Sequence, residues 1–266
     1  MEELRPRLRN VERYEPPYRL NEFPPGFAQR LGKELIYLLM VRRTPRLEGS
    51  DWEEIFARLV GAEWKPCNVG LDDIVFEQCA WGAKSVKAPS PFNASRVRLI
   101  SGRNALNFAF GVSDVKKLSP QEVGAKVLAI WNERVYSVRR HFKHLRTIVL
   151  VKSNDLLEVA VFEIETCAFI PQQYKWLWNK KGNLCGFDER GDHKFTWQPH
   201  GAQFTIVEKV PPGRLAIRVK QPPPLEPDQL LAAVGYDDSW IQTVKSEPLQ
   251  TQDATFEDCE GFERSS

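Results

Sequence analysis

The feature that most constrains the fold is a helix signature at residues 119–122, set between two groups of strand-like runs. Ser119-Pro120-Gln121-Glu122 supplies a hydroxyl cap, a proline at the first helical position and a glutamate at the third. From there Val123, Val127, Ile130, Trp131, Val135, Val138, Phe142 and Leu145 recur at spacings of three and four, so a long helix has one apolar face. Before it lie VGLDDIVFEQ, AWGAKSVKA and RVRLISGRN, short runs rich in Val, Ile and aromatics, split by Gly and Pro and read as a meander. After it come strands over 147–151 and 156–165, a Trp-rich loop, and strands near 203–208 and 214–220. Two helices come first. Phe27, Leu31, Leu35, Leu38 and Leu39 form a stripe that stops before Pro45, and Ser50 with Glu53 reads as a capping box opening a helix over 51–60. Helices, strands, helix, strands is the order of an α+β or mixed α/β protein.

Charge divides the chain. Of 37 Lys+Arg and 35 Asp+Glu, residues 221–266 hold two bases and ten acids, which leaves 35 bases and 25 acids in residues 1–220. A body at +10 with a tail at −8 points to a polyanionic partner. Residues 1–25, with RPRLR and EPPYRLNEFPP, read as a Pro-rich basic arm, 26–220 as the folded domain, and 221–266 as an acidic, loosely ordered tail with one short helix over 230–234. Eight Trp, six Tyr and fifteen Phe exclude a disordered chain. No apolar run approaches the roughly 20 residues that span a bilayer, and a cytoplasmic location is expected. Five widely spaced cysteines without a C-x-x-C pair read as reduced thiols. His193, His200 and Cys185 lack metal-ligand spacing.

The densest chemistry lies in GLDDIVFEQCAWGAKSVK, residues 70–87. Asp72 and Asp73 head one strand, Glu77 lies along it, and Lys84 and Lys87 sit on the next, so a hairpin can bring acid and lysine together. Phosphodiester hydrolysis needs that combination. Carboxylates hold Mg²⁺, and a lysine orients water or stabilises charge at phosphorus. A solvated hairpin face has the same composition; Trp81, the small Gly82 and Ala83, and the basic run that follows favour the site.

These phrases, with VRLISGRN, LAIWNERV and FTWQPHG, resemble the type II restriction endonucleases of the PD-(D/E)xK nuclease superfamily over roughly residues 50–220. The resemblance implies a central mixed β-sheet flanked by helices, and Mg²⁺-dependent cutting of double-stranded DNA to 5′-phosphate and 3′-hydroxyl ends. It also implies a homodimer on a palindromic site, and a cognate DNA methyltransferase in the same system. The motif's first acid falls on Asp73, with Asp72 as an alternative, and its lysine on Lys84. Its second acid is missing, because the position two before Lys84 is Gly82. Glu77, Glu34 or Glu54 would have to supply it, with Ser85-Val86-Lys87 fitting a variant of the pattern. Asp155 with Glu163 and Glu165 forms an alternative set of acids. Asp114-Val115-Lys116 and Asp192-His193-Lys194 match the triple literally, as short triples do by chance.

For DNA contact, Arg103 and Asn104 are the side chains that pair with guanine and adenine in the major groove, unless SGRN is only a turn. Gln198, His200 and Gln203 read as a recognition loop or as a hairpin with Trp197 as its plug. Arg139, Arg140, His141, Lys143, His144 and Arg146 offer phosphate contacts beyond what a helix dipole needs. A non-catalytic nucleic-acid-binding protein that stacks bases on exposed aromatics fits the same composition, and a scaffold docking through its acidic tail is a third reading.

Overall fold

The computed structural model describes residues 14–42, 44–65 and 70–243; residues 1–13 of the expected arm and 244–266 of the expected tail lie outside them. The chain divides into two compact units, Met1–Pro224 and Leu225–Ser266. In the second, a short helix spans Pro227–Ala233.

The first unit opens with α1 (Phe27–Val41), which buries the five residues of the expected stripe. α2 (Gly49–Val60) starts slightly earlier than its sequence suggested. Its capping box pairs Glu48 with Asp51, and Asp51 also takes both Arg42 guanidinium nitrogens at 2.8 and 2.9 Å. Glu53, expected in the box, is therefore free of it. The strands that follow are β1 (Glu63–Trp64), β2 (Ile74–Phe76), β3 (Cys79–Lys87) and β4 (Arg96–Arg103). A short α3 (Leu106–Phe110) precedes α4 (Pro120–Arg139), whose box pairs Ser119 with Glu122 as expected. α4 ends six residues short of Leu145, because Leu145 belongs to β5 (His144–Lys152). After β6 (Glu158–Glu165), the expected Trp-rich loop is three strands: β7 (Lys175–Trp178), β8 (Leu184–Phe187) and β9 (His193–Gln198). β10 (Gln203–Lys209) and β11 (Leu215–Arg218) complete the unit.

The protein is a mixed α+β structure with two sheets. One runs β1-β2-β3-β5-β6-β11 and is antiparallel except where β3 and β5 run parallel; the other is antiparallel and runs β4-β10-β9-β8-β7. β4 thus leaves the expected meander for the second sheet. α1 and α2 cover one face of the first sheet, with Trp52 and Phe56 buried against Ile74, Trp81 and Ile148. α4 packs on Ala80 and Leu145 of the opposite face and on Trp176, Phe195 and Phe204 of the second sheet, so it is shared by both. Gly124 permits the closest part of that contact, since a Cβ there would lie 2.2 Å from the Trp176 ring. Val97 and Leu99 of β4 meet Val149, Val151 and Phe162 directly.

A polar network is buried under the helical layer. The Glu163 carboxylate accepts the Trp81 indole N–H at 2.6 Å and the Tyr18 hydroxyl at 2.9 Å, and pairs with Arg146 at 3.3 Å. Asn21 brackets the Glu163 backbone, accepting its N–H at 2.6 Å and donating to its carbonyl at 3.1 Å. Residues 14–25, expected to belong to the arm, are thus anchored to β6. Burial holds the Glu163 carboxyl above the ordinary glutamate range, while Arg146 and its hydrogen-bond donors act the other way. Removing one member of a buried ion pair strands the other. Arg146→Met should cost about 3–5 kcal/mol in urea unfolding, and Arg146→Met with Glu163→Leu should recover most of it.

Candidate active site

Asp73 heads β2. The register that pairs Ile74 with Trp81 sets it across from Gly82 of β3. Side chains alternate along a strand, so Gly82 and Lys84 share one face while Trp81, Ala83 and Ser85 point towards α1 and α2. Asp73 is buried, and its backbone carbonyl accepts the Lys65 N–H at 2.7 Å. Lys84 is half-buried and reaches a cavity that Thr147, Glu165 and Thr166 also line.

Glu53, whose sequence context marked it as a capping residue, is a further candidate acid. On α2 the apolar positions Trp52, Ile55, Phe56 and Leu59 turn inward, which leaves Glu53 half-buried on the flank of the stripe. Its carboxylate accepts the Trp64 indole N–H at 3.2 Å. Burial holds this carboxyl above the ordinary glutamate range; the Trp64 hydrogen bond lowers it, the Asp73 charge raises it further and the Lys84 ammonium lowers it. The charges of Asp73 and Lys84, carried by two other elements, therefore both act on the Glu53 carboxyl. Glu34 and Glu54, the acids expected from the first helices, instead pair with Arg58 at 2.7 and 3.7 Å.

The position two residues before Lys84, Gly82, has no room for a side chain. A Cβ at this position would stand 2.9 Å from the Gly70 carbonyl oxygen and 3.2 Å from the Leu71 Cα, both backbone atoms. The chain leading into Asp73 crosses β3 so closely that no side chain fits two residues before Lys84. Gly82→Asp, which would restore the usual acid, should therefore destabilise the fold by about 1–3 kcal/mol through overpacking, measured by chemical denaturation.

The other expected site residues are dispersed. Glu77 and Gln78 form the two-residue turn of the β2–β3 hairpin, with Glu77 at φ 49°. Glu77 lies four residue steps from Asp73, about 13 Å at 3.3 Å each, at the far end of the hairpin. Lys87 ends β3 on the opposite face from Lys84. Asp72 stays half-buried next to Asp73. Glu163 is consumed by the buried network, on the face away from Lys84. Glu165 lies 3.7 Å from Arg146 and 4.0 Å from Arg139. Asp155 holds the β5–β6 turn through Ser153 and Leu157. Asp114 caps a turn at Lys116, and Asp192 pairs with Arg96 and Lys209.

On the second sheet, Arg103, Gln203 and Gln198 lie abreast on β4, β10 and β9 through direct register pairing, and His200 is exposed in the turn between β9 and β10. Asn104 does not join them. It is fully buried, donating to the Val127 carbonyl at 2.7 Å and accepting from Arg134 at 2.6 Å, and Trp197 donates to its backbone carbonyl. Arg139 is spent largely on the Thr166 carbonyl at 2.8 Å, whereas Arg140 is exposed beside Glu133. Both sit near the amino end of β5, about 17 Å along the strand direction from Lys84. Arg146, in the same run, is buried against Glu163. Phe108 of α3, which sequence reasoning passed over, is 93% exposed just beyond Arg103.

Among the described residues, no three His, Cys, Asp or Glu side chains form a ready cation cage, and no helix is long and apolar enough to cross a membrane. Cys79, Cys167 and Cys185 are free thiols, and burial pushes Cys79 up to about 12. Comparison with protein-family models, curated proteins and solved structures gives no match.

The raised Glu53 carboxyl has a consequence for stability. Folding strengthens its hold on the proton, so ionising it above its folded value works against the folded state, and this penalty vanishes below the unfolded glutamate range. Glu53→Gln keeps the acceptor for Trp64. It should raise the melting midpoint at pH 7, and the gain should shrink to nothing near pH 4.

Proposed function

We propose that the chain is a Mg²⁺-dependent endonuclease acting on double-stranded DNA, of the type II restriction kind, with a PD-(D/E)xK-like core. The register that sets Asp73 opposite Gly82, two residues before Lys84 on the same strand face, carries this proposal, with the charges of Asp73 and Lys84 both acting on the Glu53 carboxyl. The element order supports it: a helix, three antiparallel strands of which the second follows an acid and the third bears a lysine, then a helix leading to a strand parallel to the third.

The donor set fits the cation. Mg²⁺ is held through one or two carboxylates, with water and phosphate oxygens completing its shell, so a full protein cage is not required. Glu53 and Asp73 would hold it, with Asp72 beside them. When bound, the ion supplies Lewis-acid stabilisation of the phosphoryl oxygens and a water of lowered pKa. Lys84 sits on the same strand face as Gly82, where its ammonium can orient the attacking water and offset charge on phosphorus. A bond forms from the water oxygen to phosphorus and the P–O3′ bond breaks; the water proton passes to solvent and the leaving oxygen takes one up, giving a 5′-phosphate and a 3′-hydroxyl. Trp64 positions the Glu53 carboxylate. Arg103, Gln198, Gln203 and His200 form the candidate reading edge, and cutting both strands calls for a second copy of the chain. A methyltransferase protecting the same site would complete the system.

Plasmid DNA incubated with the protein should give discrete fragments in Mg²⁺ and none in EDTA. Glu53→Gln, Asp73→Asn and Lys84→Ala should each slow cutting by at least about 100-fold, while Glu54→Gln stays within a factor of two or so of the parent. Full activity in Glu53→Gln or Asp73→Asn would remove the assignment. The exposure of Phe108 favours a second reading, a non-catalytic DNA-binding protein. Salt-sensitive binding to duplex without any Mg²⁺-dependent cutting would establish that reading instead.

A further inference from the structure

A cleft of about 310 Å³ opens where β3 and β5 end, on the sheet face that carries α1 and α2, walled by Arg46, Glu48, Ser85, Lys87, Lys152 and Ser153. It lies on the opposite face from Lys84 and shares no residue with the candidate active site. At roughly 30 Å³ per water it has room for a small anion and several waters.

Its charge pattern suits an anion. Lys87 and Lys152 are direct register partners on parallel strands, so two ammonium groups leave neighbouring backbones on one face. Like charges so placed destabilise a sheet. Lys152 is only 5% exposed, and the partners of its Nζ are neutral: the Leu47 carbonyl and, at 3.5 Å, the Ser85 hydroxyl oxygen. Burial and the neighbouring Lys87 both push Lys152 below the ordinary lysine range, with Glu48 and Asp51 acting the other way. Those carboxylates already have their own counter-ions, since Glu48 pairs with Arg46 at 3.4 Å and Asp51 with Arg42 at 2.8 Å. Two positive charges are left over. The start of α2 contributes Glu48 and Gly49 to the same wall, with the Glu48 carboxylate engaged in the helix cap and with Arg46.

We propose that this cleft binds a phosphate group, held by the ammonium groups of Lys87 and Lys152 and by the Ser85 hydroxyl. Ser85 accepts from Lys152 and can turn its own proton outward to a phosphoryl oxygen. The phosphate can belong to a DNA backbone or to a free anion, and the two sources give different results on the same variants.

In thermal unfolding at matched ionic strength, inorganic phosphate at ten times its Kd should raise the wild-type midpoint by about 2–4 °C over chloride. Lys87→Gln should abolish that rise, and Lys117→Gln, which alters an exposed lysine elsewhere, should keep it. Duplex binding followed by anisotropy in EDTA then separates the sources. If the site grips DNA, Lys87→Gln reduces the slope of log K against log salt by about 0.9. If it takes a free anion, the phosphate shift disappears while that slope is unchanged. Lys87 is exposed, so its variant should fold; Lys152→Met serves as the second variant, expected to behave alike. A wild type that responds to phosphate no more than to chloride, with a salt slope unmoved by Lys87→Gln, would overturn the proposal. So would a phosphate shift of equal size in Lys87→Gln and Lys152→Met.

Discussion

The buried Glu163 carboxylate is the interaction on which the first sheet depends. It ties β6 to β5 through Arg146, to β3 through the Trp81 indole, and to the chain before α1 through Tyr18. A carboxyl group in such a place is tolerable only because its oxygens are met by a cation and by N–H and O–H donors. The same hydrogen bonds fix the rotamer of Trp81, and Trp81 immediately precedes the Gly82-to-Lys84 stretch. A network with no chemistry of its own thus sets the register and the facing of the strand that bears the candidate lysine.

Around that strand the acids arrive from different directions. Asp73 comes along the hairpin, and the backbone leading into it occupies the volume a side chain at Gly82 would need. Glu53 comes from α2, held by Trp64 of β1. Burial is the main cause that raises the proton affinity of the Glu53 carboxyl, and the Asp73 charge adds to it.

Much of the architecture was legible in the sequence. The α1 stripe, the Ser119 capping box and the β3 and β5 runs follow from periodicity and spacing alone. The errors have physical causes. Ser50 and Glu53 satisfy the capping pattern, but Glu48 and Asp51 win the cap because Arg42 holds Asp51 from outside the helix, a tertiary contact invisible to local rules. That misreading assigned Glu53 a capping task, so its placement on the flank of α2 went unnoticed. β7 and β8 are only four residues long and were taken as loop, since short strands with polar neighbours carry little period-two signal. Asn104 looked like a base reader by residue type, whereas its burial among Val127, Arg134 and Trp197 depends on contacts remote in sequence.

The sharing of α4 between the two sheets separates two kinds of evolutionary change. The second sheet touches the rest of the protein through its inner face, where Trp176, Phe195 and Phe204 meet the helix, and through Val97 and Leu99 of β4. Arg103, Gln198 and Gln203 take no part in those contacts. Their identities can drift without repacking the core, whereas Gly124 and its neighbours on α4 cannot. In such a scaffold, the outward edge of the second sheet can diverge quickly while the buried packing around α4 stays put.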